Sequence, residues 1–204
     1  MLDTVLYARD RYLATDGVIL PNRASMVITA IEDAQYKEEK IHFWDNVYGF
    51  DMSSIKSWAL REPLVDIVES RSVIGNEFIF KSIDIATVRK EDLTFDAPFS
   101  IKMQRSDYVH ALLSYFTIDF DVPGMTKPVR FGTGPFDKYT HWKQTVFYLP
   151  TDLQVSQGDT VTGVLKCSPN DRNPRDLDIT LSYERCDTEG KQVGETNSFE
   201  YHMC

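Results

Sequence analysis

Seven short segments rich in β-branched and aromatic residues follow one another from Asn76 to the end of the chain. They are residues 76–88, 99–105, 108–122, 143–149, 159–168, 176–185 and 197–203. Polar and turn-forming residues connect several of them, at 121–137, 150–159, 168–176 and 187–195. In the sixth segment the residues that share one face are Leu177, Ile179, Leu181 and Tyr183. Many strands at short spacing indicate a mainly β fold, either an antiparallel barrel or a sandwich.

The size and composition of the chain allow one large domain, or a domain with an appendage. The 204 residues are 42% hydrophobic and 26% charged, which is enough apolar material for a core. Apolar runs such as residues 17–21 fall far short of the roughly 20 residues of a membrane span. The first ten residues lack the apolar core of a signal peptide. We therefore expect no membrane partner.

The formal net charge of −9 limits the classes of partner. Nucleic acid is not expected to bind directly, because phosphate recognition needs a basic surface. A basic protein or peptide would suit an acidic chain as substrate. The same charge also arises in proteins that are acidic only for solubility, so composition alone does not decide between these two origins.

The cysteines, Cys167, Cys186 and Cys204, are odd in number and widely spaced. They form no CxxC motif, and no histidine lies at the spacing of a zinc motif. The sequence therefore predicts a reduced protein of the cytosol or nucleus and no metal site.

The N-terminal residues have a different character from the rest. Residues 1–14 repeat apolar side chains at helical spacing, and residues 18–21 (VILP) resemble a short buried strand that Pro21 ends. One helix and one strand do not make a domain, so this part is interpreted as the end of an α/β unit.

An aromatic insertion separates the first predicted strand, residues 25–31, from the later ones. Helix formers occupy 33–41, and a second short helix is predicted from Asp51 to about Ala59. The stretch between and just after them contains Phe43, Trp44, Val47, Tyr48, Phe50 and Met52. These side chains could pack over one end of the barrel, or form an arm that offers Trp44, Tyr48, Phe50 and Met52 to a partner.

The segment YTHWKQTVFYL, residues 139–149, places His141 beside Trp142 where a strand begins. A histidine in this position is often structural, with the indole ring packing beside it. It could also face a cleft as an orienting hydrogen-bond donor or proton carrier near neutral pH. The nearby segment GTGPFD, 132–137, is interpreted as a turn, because no helix follows it.

Several long motifs resemble the C-terminal half of type I protein arginine methyltransferases, in the same order along the chain. They include MLDTVLYARDRYL, GVILPNRA, WDNVYGFDMSSIK, EPLVDIV, DYVHALLSYF, YTHWKQTVFYL and NPRDLDITL. The similarity runs from Met1 to about residue 185, and the final YHM resembles the closing strand of the family.

The resemblance implies a fold and an activity. In this family a Rossmann-like domain that binds S-adenosylmethionine precedes a β-barrel, and a proline that is usually cis joins them; Pro21 matches it. It implies that residues 1–21 belong to the cofactor domain and 22–204 to the barrel, with 36–62 as a helical dimerisation arm. The family methylates arginine to mono- and asymmetric dimethylarginine in histones or Arg/Gly-rich proteins. The resemblance implies a homodimer formed through the arm and a location in nucleus and cytoplasm.

The resemblance also assigns site residues. Thr140, His141 and Trp142 match a loop that closes the arginine pocket, with His141 as the catalytic residue, and Met1 matches a pocket-lining methionine. The family's two pocket glutamates and its glycine-rich cofactor loop have no match in these 204 residues. The chain alone is thus expected to be inactive and to bind no cofactor. The alternative is a non-catalytic barrel that binds proteins or heterodimerises with an intact methyltransferase.

Overall fold

The computed structural model describes residues 2–204, so Met1 and its predicted pocket role lie outside the described part. The α-helices are α1 (Leu2–Tyr12), α2 (Ala34–Lys40) and α3 (Ser53–Arg61). Short 3-10 helices occupy His42–Asp45, Ser70–Ser72 and Lys90–Leu93. The strands are β1 (Arg23–Ile31), β2 (Leu64–Asp66), β3 (Phe78–Asp84), β4 (Phe95–Lys102), β5 (Asp107–Phe120), β6 (Val129–Gly132), β7 (Gln144–Val155), β8 (Thr160–Pro169), β9 (Leu177–Cys186) and β10 (Gln192–Met203).

Two antiparallel sheets face each other around one core, in a barrel-like arrangement. The larger sheet has the order β2-β7-β5-β1-β3, with β6 paired to the end of β5, and the smaller has the order β10-β9-β8-β4. Leu112 and Leu149 enter the core from the larger sheet, and Leu165 and Leu181 from the smaller one. The predicted mainly β, antiparallel, barrel-like fold is confirmed.

The larger sheet is also covered on its outer face. A second apolar cluster contains Ile31, Leu113 and Val146 of the sheet, together with Ile41 and Leu60 of the insertion. Residues 109–115 of β5 are consequently all buried, although adjacent side chains point to opposite faces. Burial on both faces accounts for the nearly continuous apolar composition of this strand.

The N-terminal segment packs at one end of the larger sheet. Leu6 of α1 contacts Ile83 and Val88, and the Arg9 guanidinium donates to the carbonyl oxygens of Ile85 (2.8 Å) and Val88 (2.7 Å). The Leu20–Pro21 peptide bond is cis, as the family resemblance implied. No helix in residues 2–204 has the length and apolar character needed to cross a membrane.

The prediction of a buried strand at residues 18–21 was wrong. Val18 is 60% exposed and Leu20 is 46% exposed, and this segment joins neither sheet within residues 2–204. An apolar run becomes a strand only where a neighbour takes its backbone hydrogen bonds. Regular pairing begins only at Arg23, opposite Asp84 and Asp119.

Several strand boundaries differ from those predicted: β3 (Phe78–Asp84) is shorter than the predicted 76–88, and β4 starts at Phe95 rather than at residue 99. Strand β6 lies inside the predicted loop 121–137, and β10 starts at Gln192 rather than near residue 197. Strand β7 continues to Val155 because a bulge absorbs residues 149–152: Val109 lies opposite Leu153, whereas Ala111 lies opposite Tyr148. A bulge tolerates Pro150, which cannot donate to a regular ladder.

A substitution at Gly163 tests how closely β8 packs against the core. A methyl group there would collide with the carbonyl oxygen of Ser182 and lie 2.6 Å from Cζ of Phe99. We expect Gly163→Ala to lower the free energy of unfolding by about 1–3 kcal/mol, since overpacking forces backbone shifts. Urea denaturation measures the loss. The control, Lys166→Ala on the exposed side of the same strand, should cost less than about 1 kcal/mol, and equal losses would contradict the packing argument.

Candidate functional site

The THW loop, residues 140–142, forms a tight turn directly before β7. The amide of Lys143 donates to the Thr140 carbonyl (3.2 Å), and Lys143 has a positive φ of 56°. Its ammonium group contacts Asp66 (3.0 Å), which raises the pKa of Lys143 and lowers that of Asp66. The next residue, Gln144, is buried and donates to the Thr133 carbonyl (2.6 Å). The side chains of the two residues that follow the loop, Lys143 and Gln144, therefore both hold it against the larger sheet.

Aromatic packing fixes the loop against the sheet. The Trp142 ring stacks on Phe131, with centroids 6.0 Å apart, and meets Phe116 edge-on at 5.9 Å. The rings of His141 and Trp142 lie 3.9 Å apart. Trp142 is still 49% exposed, and His141 is exposed. His141 is thus a surface group on a fixed support, free to contact a group outside these residues.

Thr140 supplies an unusual polar atom in the same loop. Its hydroxyl oxygen is buried but has no hydrogen-bond partner within residues 2–204. Leaving a buried hydroxyl unpaired costs roughly 1–3 kcal/mol. A donor or acceptor from another part of the protein could satisfy it.

The loop and the Pro21 junction lie near the same end of β5. Asn22 exchanges hydrogen bonds with Asp121: its amide nitrogen donates to the Asp121 carbonyl (2.8 Å), and its side-chain oxygen accepts from the Asp121 amide (2.7 Å). The Trp142 ring lies on Phe116 of β5 and Phe131 of β6. The surface here also exposes Val129, Phe136 and Tyr139. Grouped exposed apolar side chains are typical of a surface that contacts another domain or protein.

A cleft of about 500 Å³ adjoins this surface. Tyr115, Arg130 and Asp137 line it, as does Glu77, whose carboxylate accepts a short hydrogen bond from the Tyr115 hydroxyl. Burial raises the pKa of Tyr115, and the Glu77 carboxylate adds to the shift, so the phenol stays a donor. The cleft therefore presents both carboxylates and a guanidinium group to solvent. Sequence reasoning missed this pair, because Glu77 directly precedes β3 whereas Tyr115 lies within β5, 38 residues further along the chain.

The insertion forms a projecting arm. Val47 and Phe50 exchange backbone hydrogen bonds (2.9 and 3.0 Å) around Tyr48 (φ 54°) and Gly49 (φ 92°). Positive φ at both central positions is the pattern of a type I′ hairpin turn, in which glycine is favoured. The turn leaves Tyr48 93% exposed and Phe50 73% exposed.

The remaining predicted arm residues are more enclosed. Trp44 packs edge-on against Phe43, with centroids 5.4 Å apart, and its carbonyl accepts the Met52 amide (3.1 Å). Trp44 and Met52 are partly buried, whereas Phe43 is exposed. The aromatic side chains thus do not form one packed cluster over the barrel end, and their role as dimer contacts stays a prediction.

Polar groups that the sequence did not single out hold the base of the arm. The buried Lys37 ammonium donates to the Leu149 carbonyl (2.6 Å) and to Asp152 (2.5 Å). The Tyr148 hydroxyl donates to Asp33 (2.6 Å). Burial raises the pKa of Asp33, while the Tyr148 hydrogen bond opposes that shift. In the sequence Lys37 appeared only as an ordinary residue in a charged helix.

Comparison with known proteins decides the family. Residues 22–188 match the model of the arginine methyltransferase oligomerization subdomain. The chain belongs to this family. It is 49% identical over 203 residues to protein arginine N-methyltransferase 1 of Dictyostelium discoideum, covering 100% of this chain and 58% of that protein. It is 50% identical over 204 residues to the Schizosaccharomyces pombe enzyme of the same name, covering 100% and 59%.

Solved structures agree with this assignment. A Trypanosoma brucei PRMT1 enzyme–prozyme heterotetrameric complex with AdoHcy contains a chain with 37% identity and a TM-score of 0.93, covering 100% of this chain and 63% of that one. Arabidopsis thaliana protein arginine methyltransferase 10, at 21% identity, shares the fold with a TM-score of 0.83, covering 99% and 65%. The resemblance found in the sequence motifs is confirmed, and the chain spans a little under three-fifths of the curated relatives' length.

The loop geometry predicts different stability effects for its two aromatic residues. We expect Trp142→Ala to lower the free energy of unfolding by about 1–3 kcal/mol, because it removes the ring contacts with Phe131 and Phe116 of the sheet. His141→Ala should change it by less than about 0.5 kcal/mol, because the histidine is exposed. Thermal denaturation of both variants measures the difference. Equal destabilisation would mean that His141 is itself a packing residue.

Proposed function

We propose that this chain is the barrel and dimerisation arm of a type I protein arginine methyltransferase. The enzyme would transfer methyl groups from S-adenosylmethionine to guanidinium nitrogens, giving mono- and asymmetric dimethylarginine. Support comes from about 50% identity along the whole chain to methyltransferases of two organisms. The AdoHcy in the related trypanosome complex supports S-adenosylmethionine as co-substrate.

The observation that carries the proposal is the THW loop. It is fixed by Trp142, yet it exposes His141 and contains a Thr140 hydroxyl without a partner in residues 2–204. It also lies near the Pro21 junction, where the proposal places the link to a cofactor domain. A loop that is rigid and incompletely paired suits one wall of a pocket whose other wall belongs to that domain.

The chemistry requires alignment more than acid or base strength. Methyl transfer to nitrogen is a displacement, so the guanidinium nitrogen must be held in line with the sulfonium methyl group. Carboxylates hold the planar guanidinium in bidentate fashion. In this proposal the cofactor domain supplies those carboxylates, and His141 positions one of them by a hydrogen bond. Residues 1–21 would be the last part of that domain.

The acidic surface and the arm suggest the partners. A net charge of −9 favours encounter with basic substrates, so we infer Arg/Gly-rich proteins or histones. The family model is that of an oligomerization subdomain, and the exposed Tyr48 and Phe50 at the arm tip suit contact with a second copy in a homodimer. We place the enzyme in the nucleus and cytoplasm, which imaging of a tagged full-length protein would test.

Activity tests the role of His141. In the full-length enzyme, His141→Ala should reduce kcat/KM on an Arg/Gly-rich peptide by about 100-fold, because misplacing the reacting groups has a cost of that order. Transfer of labelled methyl groups from S-adenosylmethionine measures the rate. Lys138→Ala, an exposed neighbour, is the control and should keep normal activity.

The same assay separates the barrel from the whole enzyme. The 204-residue chain alone should transfer no label and bind no S-adenosylmethionine. Methylation by this chain alone, or unchanged kcat/KM in His141→Ala, would refute the assignment.

The arm predicts an oligomeric state. In the full-length enzyme, replacing Trp44 and Tyr48 with alanine should convert dimers to monomers, since buried aromatic side chains contribute most at interfaces. Light scattering after size-exclusion chromatography measures the mass. Tyr108→Ala on β5 is the control, because Tyr108 is a half-exposed aromatic residue outside the arm. A double variant that stays dimeric would exclude these residues as the contact.

A second candidate function is assembly with an unlike chain. The trypanosome chain with a TM-score of 0.93 comes from an enzyme–prozyme heterotetramer, so the same barrel and arm could serve a heteromer. Co-expression with an intact arginine methyltransferase distinguishes the two: a heteromer in which His141→Ala leaves activity unchanged would favour the non-catalytic role.

A further inference from the structure

Three side chains with metal-binding atoms meet at the open end of the β9–β10 pair. They are Asp176, just before β9, and His202 and Cys204, at the end of β10. The strand register sets His202 opposite Asp178 and Met203 opposite Leu177, and continuing it brings Cys204 level with Asp176. One carboxylate oxygen, one imidazole nitrogen and the thiol sulfur all lie within 4.8 Å of one another.

The imidazole is oriented by a second carboxylate. Nδ1 of His202 lies 2.8 Å from Oδ1 of Asp178, which points Nε2 toward Asp176. Asn170 in turn holds Asp178 by donating to both of its oxygens (3.1 and 2.9 Å). Metal-binding histidines almost always have such a partner on the other ring nitrogen, which fixes the tautomer and the ring plane.

The Asp176 carboxylate is oriented in the same way. Asn173 donates to its Oδ1 (2.8 Å), and the Asp176 amide donates to the Asn173 carbonyl (2.9 Å). The other oxygen, Oδ2, faces Nε2 of His202 at 3.8 Å. That distance is too long for a hydrogen bond, so these two atoms face a shared space without bonding each other.

The spacing and chemistry of these groups suit zinc. Zinc binds nitrogen and oxygen at about 2.0–2.2 Å and sulfur at about 2.3 Å in a tetrahedron, which sets ligand atoms roughly 3.3–3.8 Å apart. Small side-chain rotations would bring the three atoms to that spacing. A mixture of thiolate, imidazole and carboxylate is a donor set that zinc accepts, whereas calcium and magnesium need oxygen ligands.

We propose that Asp176, His202 and Cys204 bind a zinc ion, with Asp178 as the positioning residue for His202. The fourth coordination position is open to water or to a group of a partner. The site does not depend on methyl transfer, because its residues lie outside the THW loop and the Pro21 junction.

Zinc would connect the end of the chain to the base of the arm. Cys204 lines a cleft with Glu62, which directly follows α3, and with Leu64, the first residue of β2. Arg61 of α3 lines a cleft with His202. A bound ion would join β10 to the 170–176 turn and hold both beside the arm. Glu200 adds negative charge there, while Arg61 opposes it.

Metal titration of the purified 204-residue chain tests the proposal. After treatment with chelator, titration with Zn²⁺ should show one ion per chain, and Co²⁺ should give a thiolate charge-transfer band with the strong visible absorption of tetrahedral cobalt. Cys204→Ser should abolish the charge-transfer band. Asp176→Asn and His202→Gln should weaken zinc affinity by more than the roughly 10- to 100-fold expected for Asp178→Asn.

Matched controls separate this site from adventitious metal binding. Cys186→Ser, which removes another thiol, should leave affinity and spectrum unchanged. Circular dichroism establishes that each variant is folded, and the cobalt spectrum of the unmodified chain reports the ligand type without any variant. A spectrum that vanishes on dilution would assign the ion to a contact between chains. A contact between chains would overturn the proposal. So would zinc uptake that Cys204→Ser leaves unaffected, or no zinc uptake at all.

Discussion

Burial of β5 on both faces is the constraint on which the rest of the structure depends. One face of this strand packs into the core between the two sheets, and the other packs beneath the arm. Because residues 109–115 have no side exposed to water, the chain needs the insertion as well as the smaller sheet. The insertion is thus part of the fold at its base, although its tip projects into solvent.

The base of the arm shows how polar groups are accommodated in a buried position. Lys37 is almost fully buried, and it is stabilised only because the Leu149 carbonyl and Asp152 accept its hydrogen bonds. Tyr148, on the face of β7 that packs against the arm, anchors Asp33 at the start of α2. These contacts set the direction of the arm, while the type I′ turn at Tyr48 and Gly49 sets the exposure of its tip. Direction and exposure therefore have separate physical causes.

Two separate regions of the barrel carry different features. Pro21 and the THW loop lie near one end of β5, where exposed aromatic side chains and a Thr140 hydroxyl without a partner in residues 2–204 suit contact with another domain or protein. The three metal-binding side chains lie at the end of the β9–β10 pair, beside the arm. A metal bound there would lie beside the arm and would not need a ligand from the THW loop.

The sequence by itself determined the mainly β fold, both arm helices and the family. Alternating polarity, helix-forming residues and long motifs in order are all properties of neighbouring residues, so they can be recognised without the tertiary structure. It failed at residues 18–21, where an apolar run has no neighbouring strand within residues 2–204, and at β7, where a bulge continues the strand past Pro150. Only the tertiary structure placed Glu77 against Tyr115, Lys37 against Asp152, and Asp176 near His202 and Cys204. Strand register and the packing of distant segments bring those groups together, and neither can be inferred from the spacing of residues along the chain.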